Sequence, residues 1–183
     1  QGVALAQVNL GTMYFNGHGV NQNKDKAFDW YRKAAAAGLA NAQHNLALAY
    51  HFGDGVVLNY GESERWFRRA AEQGVSDAQY NLGFMYRNGE VVPQDLKEAV
   101  NWYRQAAEQG HVKAQFNLSL MYTDGEGAPQ NYNEAANWCS RAAEQGDAAS
   151  QYNLALKHFE GEGVLQDYET AVDWFRLAAE QGF

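Results

Sequence analysis

The chain has one cysteine, two prolines and no apolar run long enough to cross a bilayer. The single thiol, Cys139, excludes an intramolecular disulfide framework. Scarce proline, with glycine confined largely to periodic places, excludes a Pro-rich disordered chain. Positive charge is short as well. Fourteen Lys and Arg stand against 22 Asp and Glu, a net charge of −8, so nucleic acid and anionic membrane surfaces are poor partners. The first residue is not Met and no leader segment is legible, so the compartment stays open, with a periplasmic or secreted setting ahead of a cytoplasmic one.

What the chain does have is a period. Trp30, Trp66, Trp102, Trp138 and Trp174 follow one another at intervals of 36 residues. Gln7, Gln43, Gln79, Gln115 and Gln151 keep the same interval, as do the Asn-Leu pairs beginning at Asn9, Asn45, Asn81, Asn117 and Asn153. Self-similarity at 20–50 residues marks a solenoid or a propeller. Gly38, Gly74, Gly110, Gly146 and Gly182 close units 3–38, 39–74, 75–110, 111–146 and 147–182, with no insertion or deletion. The expectation is a single repeat array over 1–183. Gln1-Gly2 fits the close of an earlier unit and Phe183 the start of a next one, with no specialised cap at either end.

Each unit contains two helical patterns. In the second, Ala27, Trp30, Tyr31, Ala34 and Ala35 follow the i, i+3, i+4, i+7, i+8 stripe of an amphipathic helix. Asn23, Asn59, Asp95, Asn131 and Asp167 are good N-cap residues, and Glu62, Glu98 and Glu134 three places on resemble a capping box. Gly38 and its equivalents sit at the C′ position, where a left-handed conformation is needed. The first pattern spans 4–15, 40–51, 76–87, 112–123 and 148–159. On a helical wheel Ala6, Gln7, Leu10, Gly11 and Tyr14 share one side. Position 11 is always small (Gly11, Ala47, Gly83, Ser119, Ala155), which permits close helix approach. A loop of about seven residues, usually with Gly-x-Gly, joins the two helices. Short connections make neighbours antiparallel, so the predicted fold is all-α: a right-handed α-α superhelical solenoid of five helix-loop-helix repeats.

These residues resemble the Sel-1-like repeat family, a subclass of the tetratricopeptide-like helical repeats. Asp77-Ala-Gln-Tyr-Asn-Leu-Gly-Phe-Met-Tyr86 is similar to the family's first helix, and Trp102-Tyr-Arg-Gln-Ala-Ala-Glu-Gln-Gly110 to its second. The resemblance covers 3–182. Departures are local: Ser63 for alanine, Val91 for the second loop glycine, Cys139 for an aromatic, and Lys157-His158 for Met-Tyr, which loosens the expected packing of the last unit. The resemblance implies an adaptor in multiprotein assemblies. In bacteria, members look like scaffolds for envelope assembly, secretion or host interaction. Cysteine-rich bacterial relatives carry a disulfide in each repeat, and this chain does not.

In tetratricopeptide-like arrays the first helix lines the concave side. Leu5, Thr12 and Asn16 lie within about 60° of Asn9, opposite the recurrent packing face. The varying positions there are the candidate partner-binding residues. Position 8 supplies His44, Tyr80, Phe116 and Tyr152; position 12 supplies Leu48, Phe84, Leu120 and Leu156; positions 5 and 16 supply Asp77, Lys113, Phe52 and Asn88. An apolar strip with aromatic edges and polar rims suits a protein or peptide segment. Positions 8 and 12 equally suit packing against the next unit. The asparagine ladder suits either a bound peptide backbone or the main chain of its own repeat.

Chemistry finds little support. His44 and His51 are seven apart, too far for paired i, i+4 metal ligands, and His18, His111 and His158 fall in other units and phases. No metal or other cofactor is expected. Cys139 lies on a buried stripe without an activating neighbour in sequence, so it reads as an inert core thiol. The leading expectation is a non-enzymatic scaffold holding a partner protein or peptide, with no nucleic acid and no membrane insertion. One alternative is a spacer or self-assembling rod joined end to end. Another is a hydrolase or binder of cell-wall fragments, which lacks both the paired cysteines and an acid, base and nucleophile set.

Overall fold

The computed structural model describes residues 2–89 and 92–183; Gln1 and Val91, which figure in the repeat reading above, lie with Glu90 outside the described residues. Among the described residues there are ten α-helices and no strand. The chain forms two compact units, Gln1–Gln94 and Asp95–Phe183, divided between the two helices of the third repeat. The first holds α1 (Gly2–Asn16), α2 (Lys24–Ala36), α3 (Ala40–Phe52), α4 (Tyr60–Glu72) and α5 (Ser76–Asn88). The second holds α6 (Leu96–Glu108), α7 (Val112–Asp124), α8 (Tyr132–Glu144), α9 (Ala148–Glu160) and α10 (Tyr168–Glu180).

Every second helix starts at its expected cap. The side chains of Asn23, Asn59, Asp95, Asn131 and Asp167 accept backbone N–H groups two or three residues on, at 2.9–3.2 Å. The capping box is only half formed, because the cap residue's own N–H points elsewhere. Asn23, Asn59 and Asn131 donate it to the carbonyls of Tyr14, Tyr50 and Tyr122, and Asp167 to that of His158. The loop thereby closes onto the first helix and needs no glutamate. A glutamine near the loop's end adds a second tie, with Gln22, Gln94, Gln130 and Gln166 donating to the carbonyls of Phe15, Arg87, Thr123 and Phe159. Gly38 and its equivalents are left-handed, with φ between 83° and 91°.

The core consists of small residues. Ala34, Ala42, Leu46, Ala47, Ala70, Ala78 and Leu82 are at 0% exposure in the first unit, as are Ala106, Ala114, Leu118, Ala142 and Ala155 in the second. Close approach inside a repeat is visible at Gly11, where a Cβ would stand 2.7 Å from the Tyr31 ring. The tryptophans contribute at the margin. Trp102 and Trp138 are buried, but Trp30, Trp66 and Trp174 are only half-buried. Lys33 lies over the ring of Trp30 at 4.2 Å, and Arg69 and Arg141 over those of Trp66 and Trp138 at 4.6 Å. Adhesion between repeats therefore rests more on alanine and leucine than on tryptophan.

The recurrent glutamine is the polar element of the joint between repeats. Gln43, Gln79, Gln115 and Gln151 donate to the carbonyls of Ala35, Ala71, Ala107 and Ala143 at 3.0–3.4 Å. Their oxygens serve too: Gln73, Gln145 and Gln181 donate to Gln43, Gln115 and Gln151 at 2.7–2.8 Å. A buried amide so satisfied costs little. Last-unit packing, in question from Lys157-His158, is tight at Lys157. That side chain is buried, and its ammonium donates to Thr123 Oγ1 at 3.1 Å and meets Glu162 at 3.7 Å.

Candidate functional site

The candidate residues all lie on first helices. In the first unit α3 carries His44, Leu48 and Phe52, and α5 carries Asp77, Tyr80, Phe84 and Asn88. In the second, α7 carries Lys113, Phe116 and Leu120, and α9 carries Tyr152 and Leu156. Asp77, Asn88 and Lys113 are exposed; Leu48, Phe116, Leu120 and Leu156 are half-buried.

Position 8 turns inward more than the wheel indicates. The His44 ring lies 5.6 Å from that of Phe67, and Tyr152 lies 5.4 Å from Phe175. Each packs on the second helix of its own repeat, not on the next unit. Burial lowers the His44 pKa, against the opposing pull of the Asp77 charge and a hydrogen bond with Asn45. The asparagines divide their roles. Asn153 donates to the Ala149 carbonyl of its own helix at 2.8 Å, whereas Asn81 reaches back to His44 Nε2 at 3.4 Å.

Positions 12 and 16 open into cavities. Between α1 and α3, over α2, lies one of about 350 Å³; Thr12, Asn16, Leu48 and Phe52 form its walls, with Phe28 and Tyr31 from α2. One repeat on, between α3 and α5, lies another of about 230 Å³ bounded by Leu48, Phe52, Tyr80 and Phe84, with Phe67 from α4. Leu48 and Phe52 belong to both and separate them. Phe52 is 65% exposed and Phe84 45%, so aromatic surface faces solvent at the rims. Lys24 and Asp54, paired at 2.6 Å, add a charged edge to the first cavity.

The wheel of the first helix alone misses part of this lining. Phe28, Tyr31 and Phe67 come from second helices, and Phe15 and His51 from position 15. Their signal was available: position 28 reads Phe28, Glu64, Val100, Ala136 and Val172, as variable as any groove position. In the second unit two larger clefts flank α8. One, of about 510 Å³, is lined by Asn133, Asn137, Ser140, Glu144 and His158, and is far more polar.

Nothing in either cavity resembles a reacting set. Cys139 is wholly buried, its thiol 3.2 Å from the Ser150 carbonyl, and burial raises its pKa to about 11. A thiol so held is a poor nucleophile at neutral pH. Among the described residues no three His, Cys, Asp or Glu side chains are grouped to hold a metal ion, and no helix is long and apolar enough to cross a membrane.

The Sel1 repeat model matches residues 4–39, 40–75, 76–111, 112–147 and 148–183, one residue later in phase than the units read from glycine. The chain is 43% identical to a protective antigen present in uropathogenic Escherichia coli strains displaying an SLR fold, with a TM-score of 0.97, over 100% of this chain and 39% of that one. A Sel1 repeat protein from Oxalobacter formigenes is 39% identical with a TM-score of 0.90, over 98% of this chain and 74% of that one. Helicobacter pylori cysteine rich protein B shares the fold at 22% identity and a TM-score of 0.56, over 73% of this chain and 96% of that one. No curated protein matches. The chain thus spans well under half the length of the antigen it resembles. Sel1 repeats generally serve as protein-interaction scaffolds, and with five of them across its length this chain belongs to the Sel1 repeat family.

Proposed function

We propose that the chain is a non-enzymatic scaffold that holds a segment of a partner protein along the first-helix face. In the first unit that segment places two apolar side chains in the adjoining cavities on either side of Leu48 and Phe52. The observation that carries this reading is the pair of cavities itself: repeated, apolar, and rimmed by exposed Phe52 and Phe84. Exposed contiguous apolar surface on a folded protein usually has a use. Asp77 and Asn88, exposed on the same helix, supply polar groups at the margin.

The test is partner capture by the wild type and by Phe84→Asp combined with Tyr80→Ala, with circular dichroism confirming that both are folded. Capture should fall at least tenfold in the double variant and be unchanged in Leu177→Asp, an exposed second-helix control. Equal capture by the double variant and the wild type would remove the groove from consideration.

A further inference from the structure

We propose that the outer faces of α1 and α10 are two halves of one interface, and that a second copy of this chain docks across them head to tail. Four joints within the two units show the pattern: α2 with α3, α4 with α5, α6 with α7, and α8 with α9. At each joint the second helix contributes an alanine at 1–2% exposure: Ala35, Ala71, Ala107 or Ala143. The first helix answers with Ala42, Ala78, Ala114 or Ser150 at 0%, and a leucine at 0–2%. A glutamine donates across to that alanine's carbonyl.

The ends of the chain carry the same residues uncovered. On α10, Ala179 is exposed, although its equivalents are buried at all four joints. Its carbonyl accepts from Gly182 N–H at 2.9 Å, as that of Ala35 does from Gly38 at 3.0 Å, and keeps a lone pair for a glutamine. On α1, Ala6 is exposed, Leu10 is only half-buried, and Gln7 occupies the position of the four donors. Tyr14 would meet Val172, 53% exposed, as Tyr50 meets Phe28 edge-on at 5.4 Å. Helix α1 contains no charged residue to oppose burial. In this register Val3 of one copy and Phe183 of the other claim the same place. They are 74% and 62% exposed, and either can turn aside.

The occupant is a second copy because the two faces match each other residue for residue, in an interface the chain already makes four times. Such a contact is heterologous and leaves a free face on each outer subunit, so it propagates into linear oligomers. Sedimentation velocity from micromolar to near-millimolar concentration tests this. The wild type should gain average mass steadily with concentration. Ala6→Arg blocks one face and Ala179→Arg the other; both sites are exposed, so both variants should fold, as circular dichroism will verify. Each alone should be monomeric. Their equimolar mixture should form dimers and nothing larger, since one productive pairing remains. A wild type monomeric throughout, a mixture that stays monomeric, or a single variant that associates like the wild type each overturns the proposal.

Discussion

Ser63 occupies the place held by Ala27, Ala99, Ala135 and Ala171 in the other repeats; it is wholly buried and its hydroxyl has no hydrogen-bond partner. A buried unpaired hydroxyl is a standing cost, and the neighbouring repeats show that a methyl group fits. Ser63→Ala should stabilise the protein by about 1 kcal/mol, read as a rise in the urea midpoint at constant slope. His44 also has a calculable direction. Burial lowers its pKa, so the folded state favours the neutral ring. As pH falls through about 6.5 the unfolded chain protonates first, and the stability present at higher pH is lost toward the lower folded value. His44→Tyr installs the residue found at Tyr80 and Tyr152 and should flatten the fall in urea midpoint between neutral and mildly acidic pH. An identical fall in both proteins would show that His44 contributes nothing. Both positions were visible in the sequence as departures from a repeat. The direction in which each side chain points was not, because a wheel assigns angles and cannot show that Phe67 stands within reach of His44.

At the scale of the element, the helices were almost wholly legible, since stripe, cap and closing glycine recur together and agree. The observed first helices run one residue past the expected span, to Asn16, Phe52, Asn88, Asp124 and Glu160. The loops were legible only as loops. Their ties, from the cap residue's N–H to a tyrosine carbonyl and from Gln22-type side chains back to the first helix, join groups seven or nine residues apart and leave no periodic trace. The second loop glycine is the sharpest case. Gly127 has φ of 70°, and a Cβ there would collide with the Leu96 carbonyl, as at Gly55 with Lys24 and at Gly163 with Tyr132. Gly127→Ala therefore combines a left-handed backbone with a backbone clash and should cost about 2–3 kcal/mol. A cost under about 0.5 kcal/mol by urea unfolding would mean the loop simply swings away.

At the scale of the whole molecule, the period made the family and the all-α architecture readable, because a repeat needs only self-comparison. The cavities were half readable. Their first-helix walls appeared as variable positions, but their floors belong to second helices whose variability was assigned to packing. Groove and ends are separate surfaces, so their variants should separate in experiment. Ala6→Arg, which removes self-association, should leave partner capture by the Leu48–Phe52 region within about twofold of wild type. Partner capture lost together with self-association would place the partner on the oligomer and not on the groove. The bare backbone contact at Gly55, Gly127 and Gly163 has one more consequence. With no side chain between loop and helix, the spacing of neighbouring repeats is set at a single point, like a hinge closed without a shim. Alanine, serine and valine there would act as shims of increasing thickness, so the curvature of a Sel1 array is adjustable one joint at a time, by one residue per joint.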